Sequence, residues 1–398
     1  MANILYITYD GMMEPLGQSQ IIPYLKELSE ENKIFVISYE KKSDLYSSKK
    51  MKSLESQLSA YGIKWYPMLY HKWPSLIATL FDILKGQLIA CFISKKIDVE
   101  IIHVRSYIPA LISLPSKWLT SSKLLFDIRG FWADERVDGG IWKKEGIIFR
   151  VVKFLERYLF ISSDHIVTLT HASVSKIFEF NYWKGKKPKI TVIPTCADLN
   201  LFKPPKYLNK SPFVFGYVGS FGTWYMMKET LLIFSAILKI RKDSRMIIVN
   251  RNEHDLLIEC ISKLNLPLDR FDIIKSSHKD VVNHIQSMHA ACVLIKPSFS
   301  KIASAPTKLA EYLGCGVPCI GNNGVGDIKN ILERNKIGVV LNEFNTNSLN
   351  QAASDILRLS ENPKIRDNCR MFANLYFSLK DGVKSYRSIY ESLLNNES

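Results

Sequence analysis

Three stretches of this chain gather side chains whose types and spacing suit chemistry on an anionic, hydroxyl-rich ligand. The most informative runs from Pro297 to Pro318 and includes Ser304-Ala305-Pro306-Thr307-Lys308-Leu309-Ala310-Glu311. Ser304 is expected to cap a short helix, Pro306 to occupy its first turn, and Gly314 or Gly316 to end it. Such a helix points its positive end at whatever lies before it. Lys308 and Glu311, three apart, share one face. A cation there suits a diphosphate and a carboxylate suits the hydroxyls of a ribose, whereas a surface ion pair is the plainer reading.

The second stretch, Asp127-Ile128-Arg129-Gly130-Phe131-Trp132-Ala133-Asp134-Glu135-Arg136, follows an apolar run directly and crowds charge at its end. The alternative is a structural Asp–Arg pair. A shorter relative is His103-Val104-Arg105-Ser106-Tyr107. The third stretch follows the first apolar run, with Asp10-Gly11 leading to Pro15-Leu16-Gly17-Gln18-Ser19-Gln20. Gly17 before a helix would let backbone approach a ligand, with the helix N–H groups turned toward an anion; an ordinary helix start is the alternative. No G-x-G-x-x-G fingerprint of a dinucleotide site occurs there.

Elements able to hold these stretches are legible in the alternation of short apolar runs with longer amphipathic segments. Strands are expected at 4–8, 34–38, 63–66, 101–104, 123–126, 165–169 and 190–193. A second set is expected at 213–218, 246–249, 271–274, 291–295, 319–320 and 338–341. Helical patterns fill the gaps, among them 19–30, 75–94, 146–161 and 172–180, and the tail from 348 to 394 reads as two or three helices. Strand–helix–strand repetition predicts right-handed crossovers and parallel sheets covered on both faces. The proline-rich segment PTCADLNLFKPPKYLNKSP interrupts the alternation. The expected organisation is therefore an N-terminal Rossmann-like domain over 1–194, a linker over 195–212, and a second over 213–380. A last helix, 381–398, would pack back on the first domain. Ligands of doubly wound sheets bind beyond the carboxyl ends of the strands, so two such domains would face each other across a cleft.

Composition narrows the function classes. The 398 residues are 47% hydrophobic and 23% charged, near globular averages, which excludes a disordered or coiled-coil chain. The formal net charge of +15 is spread over both halves and favours anionic partners. Lys and Arg form no stripe interleaved with aromatic residues, so nucleic acid is not expected. Seven scattered cysteines without a C-x-x-C pair fit reduced thiols and offer no metal-ligand spacing. The N-terminal apolar run is too short for a signal peptide. No uninterrupted apolar stretch reaches the length of a span, and 76–93 contains Asp82, Lys85 and Gln87. A cytoplasmic protein is expected. Lys72-Trp73 beside the apolar 76–93 segment adds the expectation of peripheral contact with an anionic membrane face, against the alternative of a helix that merely covers the sheet.

Taken together, these stretches resemble the glycosyltransferases of family 4, with their two-domain GT-B architecture. The resemblance also includes Val192-Ile193-Pro194 with Asp198 and Phe202, and Gly216-Tyr217-Val218-Gly219-Ser220. It extends to Gly316-Val317-Pro318 and Gly324-Val325-Gly326-Asp327. It implies retaining transfer from a UDP- or GDP-linked sugar to a cell-surface polysaccharide or lipid-linked acceptor, with the donor as co-substrate and no tightly bound metal. On this resemblance, donor contacts are expected from Gly17, Ser220, Ser304, Thr307, Lys308, Glu311 and Asp327. Acceptor contacts are expected from Gln18, Arg105 and Trp132, and catalytic roles from Lys308, Arg129, Asp134 and Glu135. Ala303, Ser220 and Met226 stand where many members carry Glu, Arg and Lys, so Lys308 and Arg129 are expected to supply the lost charge. A sugar-nucleotide epimerase of the same fold, or a basic binding protein without activity, would be the alternatives.

Overall fold

The structure, a computed structural model, describes residues 1–183, 187–276 and 280–395. The chain divides into two compact units, one of Met1–Ile193 with Lys380–Ser398 and one of Pro194–Leu379. Each is a doubly wound, Rossmann-like α/β unit around an all-parallel sheet.

The first sheet contains β1 (Asn3–Thr8), β2 (Lys33–Glu40), β3 (Lys64–Leu69), β4 (Ile101–Arg105), β5 (Lys123–Asp127), β6 (His165–Thr168) and β7 (Lys189–Val192). Its spatial order is β3-β2-β1-β4-β5-β6-β7. β1 is central, with Tyr6 opposite Val36 on one side and His103 on the other. Every residue of β4 is buried. Helices cover both faces of a parallel sheet, so its inner strands read as continuous apolar runs, which is why they stood out in the sequence.

The second sheet contains β8 (Val214–Val218), β9 (Arg245–Val249), β10 (Phe271–Ile274), β11 (Ala290–Val293), β12 (Cys319–Asn322) and β13 (Gly338–Leu341), in the order β10-β9-β8-β11-β12-β13. Alternate side chains of one strand enter different clusters. Ala291 and Val293 join one core with Leu309 and Leu313, while Ala290 and Cys292 join another with Phe234 and Ile356.

Expectations from the sequence differ from the structure at the first helix, with Gly17 in it, and at the linker. The helix expected over 19–30 is two helices, Pro15–Gln20 and Ile22–Leu28, because Pro23 starts a new helical turn and cannot continue the old one. Gly17 consequently lies inside the first helix, not ahead of it. The segment read as a linker is built into the second unit. Leu199 and Phe202 are buried in its core, and Arg370 donates hydrogen bonds to the Leu199 and Phe202 carbonyls. The tail forms three helices, Thr346–Ser360, Ile365–Tyr376 and Leu379–Leu394. The last belongs to the first unit, where the Tyr386 hydroxyl donates to Asp127 Oδ2 at 3.0 Å and Tyr390 Oη lies 2.7 Å from His103 Nδ1.

Candidate functional site

In the second unit, the helix Thr307–Gly314 brings its first turn to the carboxyl end of β8, where Lys308 meets Gly219. Pro306, not Ser304, is its N-cap, and no side chain caps it. The residue before a proline is pushed out of the helical region, so the helix begins only after Pro306. Ser304 instead ends the 3₁₀ turn Ser300–Ala303.

Lys308, in the first turn, is buried. Its Nζ lies 3.8 Å from the ring centroid of Tyr225 and 4.4 Å from that of Tyr217, with no hydrogen-bond partner. Burial is the main cause that pulls its pKa down, to about 7. The aromatic faces offset part of that cost, since a desolvated cation–π contact is worth about 2 kcal/mol. Gly219, just after β8, has φ +137°, and a Cβ there would stand 2.5 Å from Lys308 Nζ. The backbone thus comes as close to the ammonium as a glycine allows.

The loop after β8 is itself fixed. The Tyr217 hydroxyl donates to the Ser220 carbonyl at 2.6 Å, while the Ser220 side chain is exposed. Glu253 accepts from Phe221 N–H at 2.8 Å and from Asn250 Nδ2 at 2.9 Å; those bonds hold its pKa below the usual value. Tyr225 bridges to Ile295 beyond β11. Its neighbour Trp224 stacks on a second buried cation, with Lys301 Nζ 3.7 Å from the ring centroid. Glu311 is buried on the same helix as Lys308, and Thr307 is half-buried. Asp327 is buried with Tyr376 Oη at 3.4 Å.

The first unit gathers charge at the carboxyl ends of β1, β4 and β5. Arg105 Nε lies 3.5 Å from Asp10 Oδ2, and its Nη1 lies 3.8 Å from Asp127 Oδ2. Arg129 Nη1 reaches the same Asp127 oxygen at 3.5 Å, which Tyr386 also meets. Arg129 has φ +55° and is followed by Gly130 at +151°, so the chain turns sharply at the end of β5. Asp127 Oδ1 is buried with no partner. His103, beneath this cluster, is kept neutral by burial, which lowers its pKa to about 4.

Asp134 and Trp132 make contacts of their own on the same unit. Lys153 Nζ lies 3.1 Å from Asp134 Oδ2 and also bonds Glu156. Trp132 stacks near Tyr107 and meets Trp142 edge-on. Glu135 is half-buried on the short helix Trp132–Asp138. Gly17 packs against backbone: a Cβ there would stand 2.3 Å from the Gly11 carbonyl oxygen. Gln18 is exposed and donates to the Met12 carbonyl. Glu40, at the end of β2, orders that loop by accepting from Met12 N–H at 2.7 Å and Met13 N–H at 3.3 Å.

The structure therefore joins Arg105 with Arg129, and sets Lys308 among groups that sequence reasoning missed. Tyr225 there, and Glu40 on the first unit, carried no signal, while Tyr217, Lys301 and Asp10 stood within the quoted stretches without a role of their own. Among the described residues, no cluster of three or more His, Cys, Asp or Glu side chains is placed to hold a metal ion.

Residues 200–374 match the family described as "Glycosyl transferases group 1". A search among curated proteins finds no significant match. Solved structures similar to the whole chain include a glycosyltransferase from Rickettsia africae (19% identity, TM-score 0.73, covering 100% of this chain and 99% of that one). Sucrose-phosphate synthase from Thermosynechococcus elongatus superposes at TM-score 0.76 with 13% identity and full coverage of both chains. HepE from Anabaena, in complex with UDP and glucose, gives 0.67 with 15% identity, covering 98% of this chain and 100% of that one. At these identities the likeness concerns the fold, which is GT-B.

Proposed function

We propose that this protein is a retaining glycosyltransferase of the family 4 type, moving a sugar from a UDP- or GDP-linked donor to a glycan or lipid-linked acceptor. The observation that carries the reading is Lys308. It is a buried ammonium with no hydrogen-bond partner, held by Tyr217 and Tyr225 against the glycine turn after β8. The family match over 200–374 and the complex of HepE with UDP and glucose support a nucleotide-sugar ligand for that unit.

Breaking the bond between an anomeric carbon and a diphosphate leaves negative charge on the departing phosphates. Lys308 supplies the opposite charge there, and the N–H groups of its helix add to it. Gly219 lets the phosphates approach backbone, and the Arg that many members carry at the position of Ser220 is compensated by the Lys308 ammonium, which lies against the neighbouring Gly219. Glu311 holds the nucleotide ribose, while Ser220, Ser304, Thr307 and Asp327 complete the donor contacts. On the first unit, Gln18, Arg105 and Trp132 serve the acceptor, while Gly17, expected as a donor contact, packs inside its helix against Gly11 and shapes the loop instead. Arg129, Asp134 and Glu135 are the charged groups assigned to the transfer itself, which proceeds by attack of the acceptor on the face the nucleotide leaves. The protein acts in the cytoplasm, at the inner face of the membrane that bears its acceptor.

A thermal-shift screen against UDP, GDP, ADP and their sugars tests the donor reading. One nucleoside diphosphate is expected to raise the melting temperature in the wild type and to lose that effect in Lys308→Ala. No shift with any of them at millimolar concentration contradicts it.

A further inference from the structure

The outer surface of a helix that covers a parallel sheet is ordinarily polar. Two helices of the first unit break that rule. Along Ser75–Lys96, the small residues Ala78, Gly86 and Ala90 face inward, with Gly86 so close to Tyr39 that a Cβ would stand 2.3 Å from its hydroxyl. The opposite stripe of Leu76, Leu80, Leu84, Leu88 and Phe92 is exposed. On Ile147–Ser162 the exposed stripe is Ile147, Val151, Phe154, Tyr158 and Ile161, at spacings of four and three, with Phe154 68% exposed.

These stripes share one surface. Crossovers from β3 to β4, β4 to β5 and β5 to β6 all run the same way along the sheet, so the right-handed rule puts their helices on one face. Tyr107–Leu119 lies between the two, packed on Ser75–Lys96, and its exposed Trp118 meets Tyr158 with ring centroids 6.2 Å apart. The charge pattern says what covers this face. The only acidic residues of the two helices, Asp82 and Glu156, are fully buried, whereas Lys85, Lys95, Lys96 and Arg150 are exposed. Every exposed charge on them is positive. Trp73, 86% exposed, follows Lys72 at the start of the first helix.

We infer that the helices Ser75–Lys96 and Ile147–Ser162, with Trp118 between them, form one face that seats on an anionic lipid bilayer, lying in its interface and not crossing it. Ser75–Lys96 is long and apolar enough to span a membrane. Asp82, however, ties it to the sheet: the carboxylate accepts from Tyr9 at 2.8 Å and from His71 N–H at 3.1 Å, bonds that a spanning helix would forfeit. Insertion of the exposed stripes into the headgroup boundary, with lysines at the phosphates, satisfies both groups at once. The inference gives a physical surface to the membrane-borne acceptor proposed above, and its test involves neither donor nor acceptor, so it can fail while the transfer reading stands.

The full-length protein is sedimented with phosphatidylcholine vesicles, with and without phosphatidylglycerol, over a range of salt. Binding is expected to require phosphatidylglycerol and to fall as salt rises. Leu84→Asp and Phe154→Asp should each weaken it at least about tenfold, since each puts a charge into the buried apolar face. Lys85→Ser/Lys95→Ser/Lys96→Ser should weaken it about 100-fold, at about fivefold per cation. All these positions are exposed, so melting temperatures should stay unchanged. Failure to bind either vesicle, or binding indifferent to both sets of substitutions, overturns the inference. So does a stable dimer in solution that Phe154→Asp separates, because a second copy would then cover the face.

Discussion

An ammonium enclosed by Tyr217 and Tyr225 without a hydrogen-bond partner costs the unliganded protein stability, because folding strips its water and returns only aromatic faces. With its pKa lowered from 10.5 to about 7, Lys308 binds fewer protons folded than unfolded between those values. Stability therefore rises with pH across that window. Lys308→Met should melt higher than the wild type at pH 7, with the gain shrinking toward pH 10.5, as thermal denaturation across pH would record. A bound diphosphate reverses the balance by raising the pKa again. Calorimetric titration at pH 8 in two buffers of different ionisation enthalpy should then show proton uptake by the wild type and less by Lys308→Met. The sequence announced Lys308 through its helix and spacing. The two tyrosines that enclose it lie more than eighty residues earlier and become neighbours only through the β8–β11 pairing, so periodicity had no means of linking them.

Among elements, the loop between β1 and its first helix depends on Glu40, whose carboxylate accepts from Met12 N–H, Met13 N–H and the Ser38 hydroxyl. Glu40→Ala leaves buried donors unpaired, at about 1–3 kcal/mol each, and chemical denaturation should show the first unit weakened accordingly. The helix Leu379–Leu394 closes the same unit through Tyr386 and Tyr390. Truncation after Leu379 should expose His103 and Asp127 to solvent. Hydrogen exchange is expected to accelerate in β4 and β5 while β11 and β12 keep their protection. Strand positions were readable because parallel strands buried on both faces are unbroken apolar runs. Less was readable where one residue overrode a pattern. Pro23 divided a periodic helix, Pro306 delayed a helix start past Ser304, and Leu199 with Phe202 anchored a proline-rich stretch whose composition suggested a linker.

At the scale of the whole molecule, two Rossmann-like units each bring charged or cationic groups to the carboxyl ends of their strands, and the net charge of +15 favours phosphorylated ligands for both. The central claim is that Lys308 stabilises a departing nucleoside diphosphate while a sugar passes to an acceptor. The most direct measurement follows release of UDP or GDP from a panel of donor sugars, with and without an extract containing lipid-linked glycans, in wild type and Lys308→Ala. The account predicts acceptor-dependent release with one donor, and turnover lower by about 100-fold or more in Lys308→Ala, the scale of one lost charge-stabilising contact. Equal turnover in the two proteins, or a donor epimerised without release of its nucleotide, would contradict it.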